Sequence, residues 1–155
     1  MIDERQFTEL YRMVYKDMYR FALCMMRHPQ DAEDAVSEAV ISAYENVHKL
    51  RKEEAFRAWI FRILTNVCKK KLSAKERTEQ ELLPEHAKEE PDMGIREDVR
   101  DAFFVLTEEE QFIVSLSVFG GYNSREIAEA LRLNSNTVRS KRSRALQKMG
   151  LILKE

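Results

Sequence analysis

Glycine and proline are scarce, at 4 and 3 residues in a chain of 155, so little punctuates the backbone. With helix formers throughout and no alternating Val/Ile/Thr runs, that scarcity excludes a sheet-rich protein and predicts an all-α fold. Cysteine is limited to Cys24 and Cys68, which have no metal-type spacing, and the first residues are charged rather than an apolar signal. A reduced, cytoplasmic protein is expected. No apolar run approaches the roughly 20 residues that span a bilayer, so direct membrane insertion is not expected and any membrane link must come through a partner. His28, His48 and His86 are scattered, and neither a nucleophile motif nor a glycine-rich phosphate loop occurs, so no enzyme and no cofactor are expected. Cys24 and His28 lie four apart on a helix, but two ligands make no site and Cys24 borders the core face; no metal is expected.

Net charge is nearly absent as well, at −1, yet the charges are segregated. Residues 1 to 77 carry 15 Lys/Arg against 12 Asp/Glu, residues 78 to 101 carry 3 against 9, and residues 102 to 155 carry 8 against 6. Two basic parts flank an acidic joint. A neutral total disfavours indiscriminate nucleic-acid binding and favours binding through local patches. The run from Glu76 to Gly94, rich in Glu and broken by Pro84, Pro91 and Gly94, reads as a flexible linker whose Leu82 and Leu83 can dock weakly on a neighbour. Two small domains, 1–75 and 95–155, are expected on either side of linker 76–94.

In the first part, Asp3 and Gln6 offer a capping box that opens a long amphipathic helix through Phe7, Leu10, Val14, Met18, Phe21 and Met25, ended by Pro29. Ala32, Ala35, Val36, Ala39, Val40, Ala43 and Val47 mark a second helix with a small-residue face, suited to close packing. Asp31, Glu33 and Asp34 in its first turn are favoured there by the helix dipole without any function. With Glu38 and Glu45 they also make an acidic outer side suited to docking a protein. Lys49 to Glu54 reads as loop. Phe56, Ile60, Ile63 and Val67 then mark the inner face of a third helix, whose far side carries Trp59, Arg62, Asn66, Lys69 and Lys70. Aromatic and amide groups beside cations suit single-stranded nucleic acid, whose bases expose faces for stacking and edges for hydrogen bonds. The plainer reading makes Trp59 a core residue and the lysines, Lys71 included, a complement to the helix C-terminus.

In the second part, Ile95, Val99, Ala102, Phe103 and Leu106 share a helical face, and Thr107 with Glu110 offers another capping box for a helix over Glu108 to Phe119. Gly120 and Gly121 can end it. Ser124 is expected to cap a short helix holding Ile127, Ala128 and Leu131; a turn spans Arg132 to Asn134, and Ser135 is expected to cap a last helix with Val138, Ala145, Leu146 and Met149 inward. Two short helices about a tight turn form a helix-turn-helix, with Ala128, Leu133 and Val138 at the crossing. Asn136, Arg139, Ser140, Ser143 and Arg144 on the second helix are candidates to meet duplex DNA, polar groups towards base edges and cations towards phosphates. The plainer reading is a solvated basic face at a helix C-terminus.

The stretches AEDAVSEAVISAY (Ala32 to Tyr44) and FRAWIFRILTNV (Phe56 to Val67) resemble the second conserved region of extracytoplasmic-function (ECF) sigma factors of the bacterial sigma-70 family. SREIAEALRLNSNTVRSKRSRAL (Ser124 to Leu146), with LTEEEQFIVSL (Leu106 to Leu116) before it, resembles their fourth region. The resemblance implies that core RNA polymerase and promoter DNA are partners and that an anti-sigma factor, in some cases membrane-linked, holds the protein in check. It implies polymerase docking through Asp31, Glu33, Asp34 and Glu38. The loop around Leu50 to Phe56, with Arg51, Lys52, Phe56 and Trp59, would hold a base flipped from the minus-ten element, beside Asn66, Lys69 and Lys70. Arg139, Ser140, Ser143 and Arg144 would read the minus-thirty-five element, with Asn136 next to them. Three positions depart from the pattern: Ser37 stands where glutamine is frequent, Arg132 where glycine is usual, and Arg142 where an apolar residue is usual. A left-handed Arg132 costs about 1–2 kcal/mol, which predicts a reshaped turn. Two other classes compete: an autonomous helix-turn-helix regulator that binds duplex DNA as a dimer without polymerase, and an interaction module without promoter function.

Overall fold

The first helix, α1 (Glu4–Met26), begins with both halves of its capping box formed: Gln6 donates its backbone N–H to the Asp3 carboxylate and accepts the Asp3 N–H on its side-chain oxygen, each at 2.9 Å. It ends at Arg27, which takes the left-handed conformation (φ 65°) and returns its N–H to the Leu23 carbonyl. Pro29 does not stop α1. It opens α2 (Pro29–Asn46) from the first turn, where the missing proline N–H costs nothing. A 3-10 turn at Val47–Lys49 follows, then the loop from Leu50, a second 3-10 turn at Glu53–Ala55, and α3 from Phe56 to Glu79. This computed structural model describes the backbone of residues 2–79 and 96–154 and the side chains of residues 2–75 and 96–150. The helix α3 enters the stretch expected as linker by four residues; the rest of that stretch, with Leu82, Leu83 and Ile95, lies outside the described residues.

The chain divides into two units, Met1–Pro91 and Asp92–Glu155. In the first, each of α1, α2 and α3 packs on the other two. The alanine face of α2 (Ala32, Ala35, Ala39, Ala43) is fully buried, as close helix approach requires. The end of α1 is enclosed on all sides, so the six consecutive residues from Phe21 to Met26 are buried. Because α3 faces two neighbours, its buried arc is wider than one stripe and rotated from the expected one: Phe56, Ile60, Phe61, Leu64, Thr65 and Cys68 are core, while Ile63 and Val67 are half-buried. The Thr65 hydroxyl is satisfied by the Phe61 carbonyl at 2.7 Å. Burial pushes the Cys24 and Cys68 thiols up to about 12, which leaves them unreactive thiols of the core.

The second unit contains α4 (Glu97–Phe104), α5 (Glu108–Val118), α6 (Ser124–Leu131) and α7 (Ser135–Lys154). Its core joins Ala102, Phe103 and Leu106 to Ile113 and Leu116 of α5, Ile127 of α6, and Val138 and Ala145 of α7. Thr107 and Glu110 close the capping box of α5. Gly121 takes φ 70°, which lets the Tyr122 N–H return to the Leu116 carbonyl. Among the described residues there is no strand, and no helix is long and apolar enough to cross a membrane.

Candidate nucleic-acid interface

The helix-turn-helix is built on caps one residue earlier than expected. Asn123, not Ser124, caps α6: its side chain accepts the Glu126 N–H at 2.8 Å while Glu126 accepts the Asn123 N–H at 3.0 Å. Asn134, not Ser135, accepts the Asn136 N–H at 2.8 Å at the start of α7. Ser124 and Ser135 are already the first residues of their helices, so the side chains placed to accept the free N–H groups are those of Asn123 and Asn134. Between the two helices Arg132 adopts φ 57°, ψ 48°, and both its N–H and that of Leu133 go to the Ala128 carbonyl. The turn is therefore not reshaped. Arginine occupies the left-handed position that glycine fills at no cost, and its exposed side chain clears the turn.

Val138 and Ala145 are fully buried and fix the rotation of α7. At 3.6 residues per turn, Asn136, Arg139, Ser140, Ser143 and Arg144 fall in one arc opposite them, and all five are exposed. Arg139 donates to the Asn136 side-chain oxygen, so this pair is already organised. Leu146, expected inward, is 51% exposed, because eight residues carry it about 80° past Val138. Arg142 lies at the margin of the buried face, half-buried, and with Arg125 and Arg139 it lines an open polar groove between α6 and α7 that also includes Asn123, Ser124 and Ser135. Arg125 was missed in the sequence because one arginine at the start of a short helix has no periodic signal.

The rotation of α7 is held from behind. Lys141 pairs with Glu109, and Lys148 donates to both oxygens of Glu110 at 3.0 and 3.1 Å. Burial would raise the Glu110 carboxyl, but hydrogen bonds from Thr107 and the bond and charge of Lys148 outweigh it and hold the group below the ordinary carboxylate value.

In the first unit, Trp59, Asn66, Lys69 and Lys70 share one side of α3 with Arg62. Asn66 and Lys70 are exposed, Trp59 and Lys69 half-buried. Arg51 and Lys52 stand exposed on the loop, which Leu50 anchors in the core. Phe56 is a correction. Its ring is 2% exposed, edge-on to Phe7 at 5.6 Å and 6.1 Å from Trp59, so it supports the loop from beneath and has no free face for a base.

On α2, Glu33, Asp34 and Glu38 are exposed and Asp31 half-buried. Two of the four carboxylates are already paired: Asp31 with Lys75 at 3.5 Å and Glu38 with Lys71 at 3.0 Å. Lys71 thus turns towards α2, away from the Trp59–Asn66 side. Ile41, 59% exposed, lies on the same outer side as Asp34, Glu38 and Glu45, an apolar centre within acidic surroundings.

The family model for sigma-70 region 2 matches residues 10–78, and that for sigma-70 region 4 matches residues 96–149. The chain is 26% identical over 154 residues to the ECF RNA polymerase sigma factor SigM of Mycobacterium tuberculosis, covering 97% of this chain and 79% of that one. It is 30% identical over 134 residues to the ECF RNA polymerase sigma-E factor of Haemophilus influenzae, covering 74% and 70%. The fold is similar to that of the sigma factor RpoE of Bartonella quintana, crystallised with the anti-sigma factor NepR, with a TM-score of 0.81 at 20% identity over 97% of this chain and 98% of that one. The two region models cover the two structural units in order, one matching the three-helix unit and the other the helix-turn-helix unit. The chain belongs to the extracytoplasmic-function group of the sigma-70 family of RNA polymerase sigma factors.

Proposed function

We propose that this sigma factor binds core RNA polymerase and directs it to promoters through three separate surfaces. The outer side of α2, with Asp31, Glu33, Asp34 and Glu38 around Ile41, docks on the polymerase. The loop with Arg51 and Lys52, together with Trp59, Asn66, Lys69 and Lys70 of α3, holds the non-template strand of the minus-ten element. A pocket that stabilises an extruded base offsets the few kcal/mol of unstacking and so helps to melt the duplex. On α7, Asn136, Arg139, Ser140, Ser143 and Arg144 read the minus-thirty-five element, with Arg125 and Arg142 of the adjoining groove on phosphates. Residues 1–75 and 95–155 are the two promoter-binding domains. Catalysis belongs to the polymerase, the protein acts in the cytoplasm, and an anti-sigma factor, soluble or membrane-linked, controls it.

The observation that supports this reading best is the single exposed arc of polar and basic residues on α7, directly opposite its buried residues. Run-off transcription with purified core polymerase on a panel of promoters tests it. The intact chain starts transcripts at defined sites, and the Arg139→Ala/Arg144→Ala variant loses those that depend on the upstream element. Absence of transcripts from both, with the chain alone shifting duplex DNA, would instead identify an autonomous regulator.

A further inference from the structure

The minus-ten loop is tied to the first turn of α1. Gln6 uses its side-chain oxygen in the capping box, accepting the Asp3 N–H, and its side-chain nitrogen donates to Glu53 in the loop at 3.1 Å, 47 residues away. Next to it, Phe7 is 5% exposed and meets the residues on both sides of the loop edge-on: Tyr44, near the end of α2, at 5.5 Å and Phe56, the first residue of α3, at 5.6 Å. Ile2 and Phe7 are both buried and occupy the two positions of a hydrophobic staple around the Asp3 cap. One helical turn thus carries an apolar wedge between the loop's two stems and a polar hook on its tip. The loop itself has few internal ties, a 3.0 Å bond from Leu50 to Val47 and a 3.1 Å bond from Ala55 to Lys52.

We infer that Gln6 and Phe7 are positioning residues for promoter recognition: they clasp the minus-ten loop in the shape that receives the extruded base. The inference rests on the proposed role of that loop and adds the element that holds it. A flexible loop must be ordered before it can discriminate a base, and part of that ordering is done in advance by a turn whose own geometry is fixed by its cap. Gln6 is suited to both tasks because an amide has an acceptor and a donor, whereas glutamate, equally able to complete a capping box, has no donor for Glu53.

That difference supplies the experiment. Gln6→Glu keeps the cap and sets a second carboxylate against Glu53; Gln6→Glu combined with Glu53→Gln restores the bond with donor and acceptor exchanged. Open-complex formation by the holoenzyme is measured on promoters matched and mismatched at the extruded base, beside polymerase affinity and thermal stability. For Gln6→Glu the matched-to-mismatched ratio is expected to fall about 3- to 10-fold, the range of one net hydrogen bond, with polymerase affinity unchanged, and the double variant is expected to recover it. An unchanged ratio in Gln6→Glu, or loss without recovery in the double variant, overturns the clasp. Arg51→Ala and Asn66→Ala separate the two levels: if they too leave the ratio unchanged, the loop's role in minus-ten recognition fails along with the clasp, whereas loss in these alone rejects only the clasp.

Discussion

Arg132 shows how a single position can carry strain for the sake of a turn. Its left-handed backbone is required by the two N–H groups that converge on the Ala128 carbonyl, and a non-glycine residue there costs about 1–2 kcal/mol. Arg132→Gly removes that strain but adds about 0.5–1 kcal/mol of unfolded-state entropy. The expected net gain is about 0.5–1 kcal/mol in the second unit, visible as a higher urea midpoint with an unchanged slope. A loss of stability would mean that the arginine side chain contributes more than its backbone costs. Residues whose role depends on local backbone geometry were legible in the sequence: the Asp3–Gln6 and Thr107–Glu110 boxes formed as expected. Asn123 and Asn134 were misassigned by one position because each precedes a serine, and both residue types are good caps. Phe56 was misplaced for a different reason. An aromatic beside a basic loop looks the same in sequence whether it faces solvent or supports the loop from the core.

At the scale of elements, the recognition helix is set by what lies behind it. Glu110 completes the cap of α5 and also holds Lys148 of α7, so one carboxylate joins the start of one helix to the far part of another. Its folded value lies below the ordinary 4.5, so the carboxylate contributes stability that is fully present above that value and is lost as pH falls through the lower, folded one. The second unit should therefore weaken on acidification below about pH 4.5, read by fluorescence or circular dichroism through a urea series at pH 6 and pH 3. Glu110→Gln, which can still complete the capping box, is expected to lower stability at pH 6 and flatten this pH dependence. An unaltered acid limb in that variant would assign it to other carboxylates. Helix periodicity located each α-helix within a few residues, but the faces of α3 and the end of α7 needed the neighbours. A helix packed on two partners buries a broader arc than one stripe predicts, and Leu146 turned outward because the rotation of α7 is set at Val138 and Ala145.

At the scale of the whole molecule, the near-zero net charge conceals a division into surfaces of opposite sign. Acidic groups dominate the outer side of α2 and basic groups the outer side of α7. Each cation that contacts a phosphate releases counterions on binding, lowering the slope of log K against log salt by about 0.9 when it is removed. Holoenzyme carrying Arg139→Ala and Arg144→Ala is thus expected to bind an upstream-element duplex with a slope smaller by about 2, measured by fluorescence anisotropy across a salt series. An unchanged slope with reduced affinity would place both arginines on bases or within the protein fold.

The sequence by itself determined the helices, two of their capping boxes and the helix-turn-helix, because each of these is written in spacings of a few residues, and the family through the stretches that resemble its second and fourth regions. Only the tertiary structure decided which charged groups are already engaged and what the loop from Leu50 to Phe56 is tied to. Lys75 meets Asp31 across 44 positions, and Gln6 meets Glu53 across 47. Such pairs leave no periodic trace in one chain: they exist because helices packed through buried alanines and aromatics bring distant side chains within hydrogen-bonding distance, and that packing is a property of the assembled core.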